Sequence, residues 1–183
     1  MLINHERQKL INAIIYFANN TRYLGKIKLC KLLYFLDFEH FKQTGRPVTG
    51  LDYFAWPMGP VPVSLYNETS SPEPDMGSQI LFIEKQIKKG TMLEVKPLVD
   101  FNSEFFSKRE LKILQTLSKE FFETIAEDMV EATHLENQPW HMIYNEKNQK
   151  QQIIPYELAI RKQELAEVLQ LAKERDELIK NFG

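Results

Sequence analysis

The apolar positions of the first 45 residues predict two successive helices. Asn4 suits an N-cap, and a helix to about Asn20 is indicated by apolar residues at helical spacing: Leu10, Ile11, Ile14, Phe17 and Ala18. Gly25 opens the second helix, which the pattern carries to Thr44. Gly45 suits the left-handed position that follows a helix end.

The second predicted helix is apolar over an unusually wide arc. The residues of this arc are Ile27, Leu29, Leu32, Leu33, Tyr34, Leu36, Phe38 and Phe41. Such a helix is typically central and packs on more than one side. Cys30 lies within the arc, and we interpret it as a small core residue rather than a nucleophile.

A short strand and a proline-rich bend are predicted next. Residues 52–56 fit a strand. Three prolines are expected to end it, because proline cannot donate to a sheet ladder: Pro57, Pro60 and Pro62. A short helix through residues 64–66 follows, and residues 69–78 have the composition of a loop. Residues 80–89 suit either a helix or a strand. Residues 92–96 alternate like a half-buried strand, which we expect to pair with 52–56.

Two capping boxes predict helix starts in the second half of the chain. Ser107 and Glu110 form the first, and Thr124 and Glu127 form the second. The helix after the second box is predicted to be short and to end at His134.

The last predicted helix runs from Pro155 to about Lys180. Its apolar residues recur every seven positions: Leu158, Leu165, Ala172 and Ile179. This spacing leaves two alternatives open, a helix laid along its own domain or one that packs on a partner, including a second copy in a homodimer. We therefore divide the chain into residues 1–150, a mainly α (α+β) helical domain with a small antiparallel β element, and residues 151–183, a long C-terminal helix.

Composition limits the class of protein without assigning a function. The 183 residues carry 23 Lys and Arg against 25 Asp and Glu, a net charge of −2, which argues against a broad basic surface for nucleic acid. A single Cys excludes an internal disulfide and fits a reducing compartment. Charges interrupt every apolar run, so we predict a cytoplasmic protein without a membrane span.

Templates for catalysis and metal binding fail in this sequence. No nucleophile elbow, P-loop or Gly-rich dinucleotide turn is present, and no two histidines have the i,i+4 spacing of a helical metal site. We therefore predict no enzyme, no cofactor and no metal. His134 is expected to bond free carbonyls at a helix end. Trp140 is interpreted as a core anchor, with partner contact as the alternative.

A small basic group surrounds the start of the second helix: Arg22, Lys26, Lys28 and Lys31. We interpret it as a solvated face. The alternative is phosphate contact, which would make the protein a nucleic-acid-binding regulator of its own operon.

Three segments in register resemble the Panacea, or SocA-like, antitoxin family. They are residues 28–40, residues 45–66 and residues 106–140, and the most specific piece is Gly59-Pro60-Val61-Pro62. The resemblance implies a mostly helical domain with a small sheet and no catalytic residue. It also implies that the protein neutralises a toxin encoded beside it by direct contact, in a bacterial or prophage toxin–antitoxin operon.

The prolines and Gly59 predict a rigid apolar bend, because proline fixes φ and glycine permits a turn. A pre-ordered bend loses little entropy on binding. We therefore predict a partner-binding set: Trp56, Met58, Gly59, Pro60, Val61, Pro62 and Tyr66. The alternative is a buried corner that holds the sheet against the second helix. A phage-encoded interaction or adaptor protein without toxin activity is a further functional alternative.

Overall fold

The computed structural model describes residues 5–88, 90–135 and 137–182. These residues form α-helices and two separate antiparallel hairpins, which confirms the predicted mainly helical α+β class. The elements are α1 (Glu6–Asn20), α2 (Lys26–Thr44), β1 (Phe54–Trp56), β2 (Gly59–Val61), α3 (Val63–Glu68), α4 (Pro74–Gly77), β3 (Ile80–Ile87), β4 (Gly90–Pro97), α5 (Lys108–Glu120), α6 (Ala126–Thr133), α7 (Pro139–His141) and α8 (Lys162–Phe182).

Helix α2 is the central element, as its wide apolar arc predicts. It packs against α1, α5, α6, α8 and strand β2. Leu29, Leu32, Leu33 and Leu36 are each at most 1% exposed, and Cys30 lies in the core at 3%. The helix ends where Gly45 adopts φ 74° and donates its N–H to the Phe41 carbonyl at 2.7 Å.

Helix α1 also follows its apolar stripe. Ala13, Ile14, Ile15 and Phe17 are fully buried, and the helix ends at Asn20 as predicted. The predicted N-cap, Asn4, lies outside the described residues.

The first hairpin pairs β1 with β2, so the expected pairing of residues 52–56 with 92–96 is wrong. The turn is Pro57 and Met58, and the register places Ala55 opposite Pro60. Ala55 turns its N–H and C=O away from β2, toward Gln152 and Gln151 at 2.9 and 2.8 Å. The Ala55–Pro60 pair therefore forms no hydrogen bond within the β1–β2 ladder, so Pro60 needs no N–H there. For this reason Pro60 lies inside a strand, although the prolines were expected to stop strand pairing.

The second hairpin pairs β3 with β4 and settles most of the ambiguous residues 80–89 as a strand, Ile80–Ile87. Lys88 lies in the turn, and Lys89 lies outside the described residues. Ile80 pairs with Pro97 at one end and Ile87 with Gly90 at the other. Strand β4 packs on α1 and the start of α2.

One of the two predicted capping boxes is present. The Ser107 Oγ accepts the Glu110 N–H at 3.3 Å, and the Glu110 carboxylate accepts the Ser107 N–H at 2.7 Å. The second box is wrong: α6 begins one residue later, after Ile125, and no side chain caps it. The predicted loop 69–78 also contains the short helix α4.

The C-terminal helix begins at Lys162, later than predicted, because the chain is extended at Ile160, which is buried. A 3₁₀ turn, Tyr156–Ala159, precedes it. Helix α8 lies against the end of α2, where a Cβ at Gly45 would come within 2.7 Å of the Ala172 Cβ, and Arg46 pairs with Asp176. Among the described ranges, no helix combines the length and the apolar character that a membrane span requires.

Candidate partner-binding site

Asp37 on α2 organises the chain that leads into the bend. Its fully buried carboxyl group accepts hydrogen bonds from the Val48 and Thr49 N–H groups at 2.8 and 2.7 Å. It also accepts from the Thr49 hydroxyl at 2.5 Å and the Tyr53 hydroxyl at 2.7 Å. Burial raises the pKa of Asp37 to about 6, and the four donors act against that rise. One side chain therefore fixes the loop to α2 at several points.

Lys31 on α2 holds the bend itself. Its Nζ donates to the Pro60 carbonyl at 2.8 Å, and the side chain is 1% exposed. Burial lowers the pKa of Lys31 to about 8. The ammonium lies so close to the bend that a Cβ at Gly59 would come within 3.0 Å of Nζ and 2.6 Å of the Thr133 hydroxyl. Gly59 also adopts φ 95°, so both the space and the backbone require glycine there.

The interpretation of the basic group as a solvated face is wrong for Lys28 and Lys31. Lys28 is fully buried and donates to the carbonyls of Arg22 and Phe122 at 2.7 and 3.3 Å. Lys26 places its ammonium 3.4 Å from the centre of the Tyr66 ring. Lys28 and Lys31 can therefore be buried because backbone carbonyls accept their hydrogen bonds. Lys26 instead makes a cation–π contact with an aromatic ring.

Trp140 supports the bend through strand β1. It is 3% exposed, and its Nε1 donates to the Trp56 carbonyl at 2.9 Å. Its ring lies between His134 and Tyr144, with ring centres 3.7 and 4.6 Å away and nearly parallel planes. Trp140 thus anchors β1 to the C-terminal half of the domain.

His134 lies at the end of α6, where the sequence places it. Its Nε2 is buried and makes no hydrogen bond within the described part of the chain, so this atom does not form the expected bond to free carbonyls. The His134 ring instead stacks on Trp140. Burial lowers the pKa of His134, with a smaller contribution from the nearby charge of Lys31.

The bend presents a small apolar surface above this support. Met58 is 54% exposed, and the half-buried Trp56 ring packs against Tyr66 with centres 5.4 Å apart. Gly59, Pro60, Val61 and Pro62 are buried. The predicted set therefore divides into three accessible side chains, Trp56, Met58 and Tyr66, and four residues that position them.

No group of three or more His, Cys, Asp and Glu in the described ranges is arranged to hold a metal ion. Burial raises the pKa of the Cys30 thiol to about 11, which is the opposite of what a nucleophile requires.

Asp37, Thr49 and Tyr53 belong to the site, although the sequence pattern did not single them out. One signal for these residues was present in the sequence. Asp37 lies in residues 28–40, and Thr49 and Tyr53 lie in residues 45–66, which are two of the segments that carry the family resemblance. Spacing along the chain could not show that an acid on a helix meets donors 11 to 16 positions later.

Fold and site together define a class: a helical domain whose central helix holds a proline-rich bend through buried polar side chains. The family model described as "Antitoxin SocA-like, Panacea domain" matches residues 29–141, which is more than half of the chain. The chain belongs to this family. No curated protein and no solved structure matches it.

Proposed function

We propose that the protein is an antitoxin-type binding module that neutralises a cognate toxin by direct contact, in a bacterial or prophage toxin–antitoxin system. The family match over residues 29–141 carries the proposal. We further propose that it acts in the cytoplasm, without catalysis and without a cofactor.

The surface of Trp56, Met58 and Tyr66 is the contact site that the geometry favours. Hydrogen bonds from Lys31 and Trp140 hold the backbone beneath it at 2.8 and 2.9 Å. A surface that is already ordered loses little conformational entropy when it binds, and aromatic residues are enriched among binding hot spots. Met58 adds a flexible apolar side chain that adapts to the partner.

Purified protein and the purified product of the adjacent gene test this proposal. We expect the adjacent product to be toxic when expressed alone, to bind this protein, and to lose toxicity on co-expression. Met58→Asp should weaken binding about tenfold or more, because it places a charge in an apolar contact. Leu98→Asp is the matched control, since Leu98 is 48% exposed outside the bend.

Three results would separate the hypotheses. An adjacent product that is harmless alone but binds favours the phage-encoded adaptor. One that stays toxic beside this protein contradicts neutralisation. Equal binding by the Met58 and Leu98 variants would place the contact elsewhere.

The operon-regulator alternative finds less support. It requires the basic start of α2 to face phosphates, yet Lys28 and Lys31 are buried and bond backbone carbonyls. A gel shift with the protein's own promoter at physiological salt tests it directly.

The homodimer through the C-terminal helix stays a prediction. Helix α8 uses one side to contact α2 and leaves Leu169, Leu171 and Leu178 exposed on the rest of its surface. Light scattering of the full chain over a range of concentrations tests whether a second copy covers them.

A further inference from the structure

A groove of about 800 Å³ lies outside the bend, between α2, α5 and the residues around 137–142 and 158–161. Its floor is apolar and partly aromatic. Phe35 and Phe121 stack there with ring centres 5.3 Å apart and an interplanar angle of 8°. Ile113, Leu117 and Met142 continue this floor.

Four cations border the groove: Lys42, Arg109, Lys112 and Arg161. All four are exposed, and none forms an ion pair with a described residue. Two acids, Glu39 and Glu120, also line the groove, and Glu39 accepts a hydrogen bond from Gln43 at 2.8 Å. The border therefore keeps an excess of positive charge.

The positions of Arg109 and Lys112 strengthen this argument. Arg109 lies in the first turn of α5, where the positive end of the helix dipole disfavours cations, and Lys112 follows three residues later on the same face of the helix. Acids there would stabilise the helix more. Helix stability alone therefore does not explain a cation at position 109, whereas a role in binding does.

We propose that this groove binds a segment of the partner protein that combines apolar side chains with Asp or Glu. The inference rests on the proposed protein-binding function and adds a second contact surface with its own chemistry. Apolar side chains would cover the Phe35–Phe121 floor, and carboxylates would face the four cations. This match of opposite charge around an apolar centre favours specific and fast association.

Charge reversal separates binding from stability. The double variant Arg109→Glu with Lys112→Glu should bind the purified adjacent-gene product about tenfold or more weakly at low salt, with a smaller dependence on salt. Its thermal midpoint should stay unchanged or rise, because acids suit the start of a helix. Lys108→Glu is the matched control, because this neighbour in the same turn does not line the groove.

Selective labelling tests occupancy of the groove. The native Cys30 is buried, so Thr116→Cys places the reactive thiol on the groove, where Thr116 is exposed. The bound partner should slow maleimide labelling at position 116 about fivefold or more. Lys96→Cys on strand β4, outside the groove, should label at an unchanged rate.

The outcomes keep the two proposals distinct. If the wild-type protein fails to bind the adjacent product, the proposed function fails and the groove proposal fails with it. If the wild type binds while the double variant binds equally well and position 116 labels freely, the groove proposal alone is overturned. Protection of position 116 by promoter DNA instead of protein would also overturn it.

Discussion

The central helix buries the charged groups of Lys28, Lys31 and Asp37, and each makes hydrogen bonds that join α2 to another segment of the chain. Lys28 donates to the adjacent carbonyls of Arg22 and Phe122, Lys31 donates to the bend, and Asp37 accepts hydrogen bonds from the loop before the bend. A buried charge costs free energy unless it is hydrogen-bonded. These residues therefore act as specific ties between segments that apolar packing alone would not align.

Asp37 gives stability a defined dependence on pH. Its pKa is raised from 3.8 to about 6, so between these values the native chain binds a proton that the unfolded chain releases. Stability from this group is therefore present at low pH and is lost as pH rises through about 6. Asp37→Asn, which removes the titration and part of the hydrogen bonding, should be less stable than wild type at every pH tested.

Urea unfolding of both chains at pH 5 and pH 7 measures this effect. The stability gap between wild type and Asp37→Asn should be about 1 kcal/mol wider at pH 5 than at pH 7. A gap that stays constant or widens toward pH 7 would show that the carboxyl group is ionised throughout.

At the scale of elements, each hairpin contains a glycine with positive φ, but the two glycines have different surroundings. Gly59 adopts φ 95° and Gly90 φ 125°, so alanine strains the backbone at both positions. A Cβ at Gly59 would also meet Thr133 and Lys31, whereas no described atom lies within 4 Å of one at Gly90. The bend depends on its glycine for close packing as well as for its turn.

Alanine substitution at the two glycines should therefore differ in effect. Gly59→Ala should lower the free energy of unfolding by more than about 2 kcal/mol, and Gly90→Ala by about 1 kcal/mol. Chemical denaturation of both variants supplies the comparison. Equal losses would mean that the Lys31 and Thr133 side chains move aside at no cost.

Helix periodicity was predictable from the sequence, and strand pairing was not. The stripes of α1 and α2 and the Ser107 capping box are local patterns, which a sequence displays directly. Pairing of residues 52–56 depends on a two-residue turn and on strand register. The prolines in the segment favoured the end of a strand, so a second strand at residues 59–61 was not expected. The burial of Lys28 and Lys31 depends on carbonyls distant along the chain, so the sequence favoured a solvated face.

At the scale of the whole molecule, α8 is docked through a close contact with the end of α2. The space at Gly45 is filled by Ala172 and Val168, and the Arg46–Asp176 pair lies beside it. Most of the other residues of α8 are exposed, so this narrow contact decides whether the helix stays in place.

Enlarging the side chain at that contact should release α8. Ala172→Leu keeps helix propensity but needs space that Gly45 occupies. We expect amide hydrogen exchange across α8 to become at least about tenfold faster, while exchange in α2 changes little. Lys173→Leu adds the same side chain at an exposed position and should leave α8 protected. Equal protection in the two variants would contradict docking through residue 172.

The division between buried ties and exposed side chains has a consequence for how the bend can change over time. Lys31 and Trp140 fix its backbone and Asp37 fixes the loop before it, while Met58 contributes little to the fold because more than half of it faces solvent. Surface substitutions of this kind usually alter stability by less than about 0.5 kcal/mol. Under the proposed binding function, substitutions at position 58 can therefore change which partner is bound, while the residues that support the bend stay the same.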